Sequence, residues 1–412
     1  MQSVLSTMDL IPSSALEILE FTKIIDLVRE RCIGPVAKDA CAQIRPSTNA
    51  AWIRQELSIV ADAMRIHEEQ LQVMSGACPD LAEVLEQLKV EGYVAAGEDL
   101  LAILILLQQA QQVYTFFDGD RAGQFSRLAD VAARLTDPVE LIEAIERVLD
   151  EEGAVRPDAS PALQKLAKEL GAKRRQCDQQ FDKTVRKYAD QGWLSDTLES
   201  MRNGRRVLAV VAERKRQVRG IIHDQSATGK TTFVEPEELI QINNDLIEIG
   251  AAIRTEERRI LLALCDRLRP EIPDLEISGE VLTELDVYLA KARLGLALKG
   301  SCPDILETPV LHIEQGRHPL LYLKNKEIGK KTVPFDLHLR HDNRILLLSG
   351  PNAGGKSILM KSVGLMQVMV QAGLPVPADA RSEFGVFERI CVELGDRQSI
   401  EDDLSTYSSR LK

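Results

Sequence analysis

A glycine-rich stretch near residue 350 carries the residue types that bind the phosphates of a nucleotide. The spacing G-x-x-x-x-G-K-[ST] is matched by Gly350, Pro351, Asn352, Ala353, Gly354, Gly355, Lys356 and Ser357. Glycines let backbone N–H groups converge on an anion, because side chains at those positions would block it. We expect Lys356 to reach the β- and γ-phosphates and the Ser357 hydroxyl to ligate Mg²⁺. The spacing therefore predicts a site for ATP and Mg²⁺.

Regular elements are predicted on both sides of this stretch. The apolar run Ile345–Leu348 comes directly before it and indicates a strand. After it, helical spacing predicts a helix over Lys356–Ala372, with Gly373 as the stop signal. The spacing is that of Leu359, Val363, Met366 and Val370. Such a helix directs its positive end at the same anion.

A second stretch, Ser226–Thr231, also contains Gly-Lys-Thr. The full spacing fails there, because Asp224 stands where the first glycine is needed. The residues that follow indicate a strand ended by Pro236 and not a helix. We do not expect this stretch to bind a nucleotide.

Composition indicates a protein of two or three domains with mostly helical packing. The chain has 412 residues, of which 44% are hydrophobic and only 4% aromatic. Helical patterns run from Ser14 to Asp150, and the apolar run Leu100–Leu107 is too short to cross a bilayer. Seven scattered cysteines without a C-x-x-C pair, and an N-terminus without a signal peptide, favour a cytoplasmic protein with reduced thiols and no membrane segment.

Two long helices with a small β-region between them are predicted in the middle of the chain. Apolar residues from Pro161 to Tyr188 lie on one helical face, and those from Leu239 to Leu264 form a second helix able to run back beside the first, as in a coiled coil. Between them, Asn203-Gly204 is a hairpin turn signal. The predicted strands nearby are Val207–Val211, Val218–Ile222 and Thr231–Val234.

Positive charge is concentrated in the same region. Residues 160–235 hold 16 Lys and Arg against 9 Asp and Glu, whereas the rest of the chain holds 35 against 54. This pattern indicates a local nucleic-acid-binding surface on an otherwise acidic protein, with a solvated charged face as the alternative. The densest part contains Arg202, Arg205, Arg206, Arg214, Lys215, Arg216 and Arg219.

After Cys302-Pro303 the pattern changes to short strands. These are predicted at Val310–Ile313, Val333–Leu339 and Val386–Leu394. The fold class is therefore α+β and multidomain. We expect a helical core over residues 1–158, long-helix arms over 159–300 with a β tip at about 200–236, and the first part of a P-loop ATPase domain over 301–412.

Several separate motifs resemble the MutS superfamily, and most of all its type-II branch. Three of them belong to the ATPase: Gly316–Leu321, Gly350–Ser357, and Gly395–Ile400 leading to Leu404–Ser409. Earlier stretches that are similar to this branch are Leu19–Phe21, Asp158–Pro161, Arg202–Arg205, His223–Ala227 and Phe233–Pro236. The resemblance covers nearly the whole chain.

This resemblance implies an ATP-binding homodimer that clamps branched or duplex DNA, with a role in DNA repair and the suppression of recombination. Ser405 and Thr406 match the signature that touches the nucleotide of the partner subunit. Rescue of collided ribosomes through rRNA is an alternative known for the branch. A hypothesis of another class, which the resemblance does not imply, is a structural coiled-coil dimeriser with a vestigial loop. Val333 and Phe335 are candidates to stack on adenine.

Some features depart from the family pattern. Arg397 and Arg410 stand where an acidic residue and a histidine are usual, and Phe233-Val234-Glu235 does not match the mismatch-reading wedge. The family's Walker B carboxylates and Smr nuclease domain are expected beyond Lys412. We therefore expect ATP hydrolysis by these 412 residues to be weak, unless Glu393, Asp396 or Asp402 supplies the missing carboxylate.

Overall fold

The computed structural model describes residues 11–349 and 355–393, and it shows an α+β protein. Within these residues the strands form two four-stranded sheets. The helices are α1 Ser13–Ile18, α2 Phe21–Arg29, α3 Pro35–Ala40, α4 Ala50–Glu68, α5 Ala82–Leu88, α6 Gly97–Phe116, α7 Asp120–Gln124, α8 Ser126–Ala132, α9 Val139–Val148, α10 Pro161–Ala189, α11 Glu237–Leu268, α12 Ile272–Leu298, α13 Pro319–Glu327 and α14 Lys356–Gln371. The strands are β1 Leu194–Arg202, β2 Arg205–Val211, β3 Gly220–Gln225, β4 Thr231–Pro236, β5 Asp304–Leu306, β6 Leu311–Gly316, β7 Phe335–Leu339 and β8 Glu383–Gly385.

The described residues divide into two compact units. The first takes in the residues up to Leu81, Ile105–Val139 and the residues from Pro273 onward. The second comprises Ala82–Leu104 and Glu140–Ile272. The two long helices α10 and α11 and the sheet between them in sequence all belong to the second unit.

Helices α10 and α11 run antiparallel, as their side-chain contacts show. Lys173 Nζ lies 2.6 Å from Asp245, and Lys187 Nζ lies 2.8 Å from Glu238. Residues later in α10 therefore pair with residues earlier in α11. At the other end, Ser160 caps α10 by accepting a hydrogen bond from the Leu163 amide. The predicted helices are confirmed, and the proline after Ser160 suits the first helical position.

The sheet of the second unit is antiparallel in the order β1-β2-β4-β3. Asn203 and Gly204 have φ of +51° and +74° and close the β1–β2 hairpin, which confirms the predicted turn. One sheet face packs on α10 and α11 through an apolar cluster formed by Cys177, Phe181, Tyr188, Leu208, Val210, Val218, Val234, Leu239 and Ile242. Strand β1 was not predicted, because its sequence is mostly polar and lacks a continuous alternation.

The sheet of the first unit has the order β5-β8-β6-β7, and only its β5–β8 pair is parallel. Helix α14 lies in the apolar core of this unit, with Leu365, Met366, Val368 and Met369 fully buried. The predicted helix after the glycine-rich stretch is thus confirmed. It ends at Gln371, and Gly373 follows with φ of +67°.

Two predicted strands are wrong. Residues 345–349 are irregular, and Ile345 and Leu347 are 86% and 88% exposed. An apolar run forms a strand only when a neighbour pairs with its backbone, and no described strand pairs with this run. Described residues of the second predicted strand, 386–393, are also irregular, and the strand in that part of the chain is β8 instead.

Candidate nucleotide and nucleic-acid sites

The first turn of α14 carries the predicted phosphate-binding residues. Lys356 begins the helix, Ser357 is exposed, and Gly355 precedes them with φ of +80° in the left-handed region. Among the described residues no side chain caps this end, and its first turn holds no acidic residue. The N–H groups of the first turn and the positive end of the helix therefore favour an anion. The other predicted loop residues, Gly350, Pro351, Asn352, Ala353 and Gly354, lie outside the described residues.

These groups fit the phosphates of ATP and a shared Mg²⁺ ion. In the described part of the chain, no group of three His, Cys, Asp or Glu side chains could hold a metal ion. Mg²⁺ commonly keeps several waters and binds through nucleotide phosphates with few protein ligands. At this site Ser357 would supply the protein ligand, and ATP would supply the chemistry of phosphoryl transfer.

The middle of α14 contacts the Leu19-Glu20-Phe21 motif. A Cβ added at Gly364 would lie 2.7 Å from a methyl carbon of Leu19, so a larger residue there would require the Leu19 side chain to shift. Glu20 lies 3.8 Å from the Lys361 ammonium. Hydrogen bonding from Lys23, together with the charges of Lys23 and Lys361, lowers the pKa of Glu20 against the effect of burial. The motif therefore positions the helix that begins at the phosphate site.

The C-terminal end of α14 is held by two buried glutamines that sequence reasoning missed. Gln371 donates from Nε2 to the carbonyl oxygens of Ser47 at 2.9 Å and Phe387 at 3.1 Å. Gln367 donates to Gln371 Oε1 at 2.8 Å and to the Gly385 carbonyl oxygen at 2.9 Å. Long polar side chains at helical spacing on an otherwise apolar helix were the available signal.

His318 of the Gly316–Leu321 motif has a structural place. It is buried, and its Nδ1 caps α13 by accepting from the Leu321 amide at 3.4 Å. Burial lowers the pKa of His318. Gly316 allows close packing, because an added Cβ would lie 3.0 Å from the Phe335 ring. Phe335 is therefore partly buried, whereas Val333 is 82% exposed. Neither observation tests the predicted stacking of these residues on adenine.

Three of the seven predicted nucleic-acid residues are engaged by other protein groups. Arg202 lies with its guanidinium 3.9 Å from the centre of the Phe233 ring. Arg206 pairs with Asp178 at 2.6 Å and Glu199 at 2.7 Å, and it covers the ring of Phe181. Arg205 pairs with the buried carboxylate of Glu235 at 2.8 Å.

Glu235 is a fully buried carboxylate whose oxygens are all hydrogen bonded. Arg205 Nη1 and Asn243 Nδ2 each donate to Oε1 at 2.8 Å, and His223 Nε2 lies 2.6 Å from Oε2. Burial alone would raise the pKa of Glu235, but the hydrogen bonds from Asn243, His223 and Arg205 outweigh it and hold this pKa below its ordinary value. Three motifs of the sequence thus meet in one network, at His223, Glu235 and Arg205.

The other four basic residues lie on the segment between β2 and β3, residues 212–219, which we call the basic loop. Arg214, Arg216 and Arg219 are exposed, and Lys215 is half-buried. The Ala212 amide donates to the carbonyl oxygen of Lys230, which brings the exposed Lys230 beside the start of this loop. Lys230 was missed because it was read only as part of a failed nucleotide motif.

That failed motif is the turn between β3 and β4. The Ser226 amide donates to the Thr231 carbonyl, and Gly229 adopts φ of +66°. Strand β4 follows it, so no helix dipole is directed at this turn. The interpretation that Ser226–Thr231 is not a nucleotide loop agrees with this geometry.

The remaining predicted site residues are only partly described. Ser405, Thr406, Asp396 and Asp402 lie outside the described residues, whereas Glu393 lies at their last position. All seven cysteines are free thiols, as expected from their scatter. No helix among the described residues has the length and apolar character needed to cross a bilayer.

Comparison with known proteins gives the family. The model of MutS domain V matches residues 346–412. The chain is 32% identical over 404 residues to the Endonuclease MutS2 of Halothermothrix orenii, covering 97% of this chain and 50% of that protein. It is 34% identical over 401 residues to the Endonuclease MutS2 of Agathobacter rectalis, covering 95% of this chain and 49% of the relative. This chain belongs to the MutS family.

A third relative gives the same coverage. The Endonuclease MutS2 of Carboxydothermus hydrogenoformans is 34% identical over 399 residues, which are 96% of this chain and 49% of that protein. The chain therefore spans about half the length of the curated relatives it matches.

Proposed function

We propose that this MutS-family chain is an ATP-binding, dimeric clamp that binds DNA, branched or duplex, in repair or the suppression of recombination. The observation that supports the proposal is the start of α14 directly after the glycine-rich stretch, where Lys356 and Ser357 form the first turn and no described side chain caps the helix. In the dimer, Ser405 and Thr406 of one subunit touch the nucleotide of the other.

The DNA contact is assigned to the basic end of the second unit. This region is rich in positive charge within an acidic chain, so phosphate binding there is local and depends on salt. Protein carboxylates and aromatic rings already contact the guanidinium groups of Arg202, Arg205 and Arg206. The arginines of the basic loop are instead exposed to solvent. The basic loop therefore makes the principal contacts.

For this clamp we propose the domain boundaries predicted from the sequence. A helical core covers residues 1–158, arms with the β tip cover 159–300, and the first part of the P-loop ATPase domain covers 301–412. ATP and Mg²⁺ bind in the last of these.

The deciding experiment measures binding of this chain to a labelled four-way DNA junction by fluorescence anisotropy, with and without ATP and Mg²⁺. We expect binding that is lost when Arg214, Lys215, Arg216 and Arg219 are all replaced by Gln. Replacing Arg254 and Arg258, which are exposed on α11, is the matched control and should leave binding intact. Failure of the parent chain to bind the junction would overturn the DNA clamp.

Two further measurements separate the alternative functions. Phosphate contacts carry no base information, so a surface of this kind can also bind rRNA. Tighter binding to stalled disomes than to the junction would favour ribosome rescue. Absence of ATP binding by calorimetry would favour a structural dimeriser with a vestigial loop.

A further inference from the structure

A groove lined by two aromatic rings and several polar side chains lies in the second unit, next to the basic loop. Its cavity volume is about 360 Å³, which lies within the range of small-molecule sites. Its walls include Tyr188, Gln191, Trp193, Gln217, Arg219 and Glu237. Of these residues, Gln217 and Arg219 belong to the basic loop, and the others have been given no functional role above.

The aromatic wall is a stacked pair held by the backbone. The rings of Tyr188 and Trp193 have centroids 5.7 Å apart and planes inclined by 27°. The Trp193 amide donates to the Tyr188 carbonyl, and the Trp193 carbonyl accepts from the Val211 amide. Tyr188 is buried, whereas Trp193 is only partly covered. The indole is therefore a fixed ring with accessible surface, which is what a stacking partner requires.

The polar walls provide hydrogen-bonding groups around this ring. Gln191 and Gln217 are exposed amides, and each offers both a donor and an acceptor. Lys187 is held by Glu238 at 2.8 Å and lies over the Tyr188 ring, so one wall is already neutralised. Amide groups beside a flat aromatic ring are complementary to the edge and the face of a nucleobase.

Continuity with the basic loop identifies the ligand. Gln217 and Arg219 belong both to the groove wall and to that loop, and the Arg219 carbonyl accepts from the Glu237 amide at the start of α11. A strand whose phosphates lie along Arg214 and Arg216 would thus bring its next base to the groove. An unpaired base can leave its stack and enter, whereas a base in an intact duplex cannot.

We propose that this groove binds one unpaired nucleobase of a nucleic-acid strand, stacked on Trp193 and contacted at its edge by Gln191 and Gln217. The proposal rests on the nucleic-acid-binding function proposed above and adds a preference for single-stranded segments. Stacking is tolerant of base identity, so little sequence preference is expected.

The test uses the protein's own fluorescence. The chain has two tryptophans, and Trp52→Phe leaves Trp193 as the single reporter. We expect a single-stranded oligonucleotide, or a duplex with a single-stranded tail, to quench this emission, and a blunt duplex of equal length to bind without quenching. In anisotropy titrations, Trp193→Ala should weaken tailed-duplex binding by about tenfold, Trp193→Phe should retain most of it, and blunt-duplex binding should not change.

Two controls keep the outcome decisive. Gln191→Ala with Gln217→Ala removes only exposed amides and should also weaken tailed-duplex binding, without disturbing the aromatic core. Equal affinity of the parent chain for tailed and blunt duplexes, with no quenching, would overturn the base-binding groove and leave the DNA clamp standing. Absence of binding to any nucleic acid would overturn both.

Discussion

Arg205 and Glu235 form a short ion pair, 2.8 Å between Nη1 and Oε1, in which the carboxylate is fully buried and the arginine side chain is 22% exposed. Both residues belong to motifs that resemble the type-II MutS branch. Their position explains the motifs in physical terms, because a buried carboxylate is tolerated only where several donors satisfy it.

Replacing Glu235 by Gln should therefore destabilise the second unit. The change leaves Arg205 without its partner charge, and breaking a buried pair costs about 3–5 kcal/mol. We expect about 2 kcal/mol here, because Arg205 reaches solvent and screening reduces the loss. Urea unfolding measures the effect. Glu237→Gln, at an exposed position two residues away, is the control and should change stability by less than about 0.5 kcal/mol.

The same carboxylate should make stability depend on pH. The folded-state pKa of Glu235 is depressed, so its contribution is complete above its unfolded pKa of about 4.5 and is lost as pH falls toward the lower folded value. The stability difference between the parent chain and Glu235→Gln should thus be constant from pH 7 to 5 and shrink below pH 4.5. A difference that grows on acidification would show that Glu235 is not ionised in the folded state.

Lys356→Ala should remove most of the affinity for ATP and Mg²⁺. The lysine begins α14 at the predicted phosphate position, and its loss removes the cation expected beside the β- and γ-phosphates. Isothermal titration calorimetry measures the change. Lys361→Ala is the control, since this lysine lies near Glu20 one turn further along the same helix. If both variants bind ATP like the parent chain, the phosphate site is misplaced.

Nucleic-acid binding should weaken as the salt concentration rises. The slope of log K against log salt should depend on the number of phosphate contacts made by the basic loop. Each phosphate contact contributes about 0.9 to the slope of log K against log salt for duplex DNA, so Arg214→Gln with Arg216→Gln should lower the slope by about 2. Arg205→Gln should reduce stability more than it changes this slope. Equal slopes for the parent chain and the Arg214/Arg216 double variant would move the contact away from this loop.

Gly373→Ala should destabilise the first unit by about 2 kcal/mol or more. Gly373 has φ of +67°, and an added Cβ would lie 2.6 Å from Cβ of Glu56, so backbone strain and a steric clash act together. Gly119→Ala separates the two causes. Gly119 has φ of +66° with nothing near the added Cβ, and it should cost only about 1 kcal/mol. Thermal unfolding compares the two variants.

Sequence reasoning succeeded where a local signal decides the conformation. Helical spacing and Gly373 located α14, and Asn203-Gly204 located the β1–β2 hairpin. It failed at Ile345–Leu348, because forming a strand depends on a pairing neighbour that the run itself does not encode.

Polar partners that are far apart in the sequence could not be predicted either. The pattern that marked Arg205 as a phosphate ligand is the same whether or not a carboxylate thirty residues later neutralises it. The seven basic residues were therefore predicted as a group, and the sequence does not separate the three that pair with protein groups from the other four.

Because α10 and α11 are long, a small change in their tilt becomes a large displacement of the sheet at their end. At 1.5 Å per residue, the 29 residues of α10 span about 44 Å, so a tilt of about 5° at Pro161 displaces Ala189 by about 4 Å. That displacement exceeds the length of a hydrogen bond. Because the sheet packs on the two helices through Phe181 and Leu239, we expect it to move together with them. A tilt of this size would make or break the phosphate contacts proposed for the basic loop together, and we expect binding to change abruptly with the angle of the two helices.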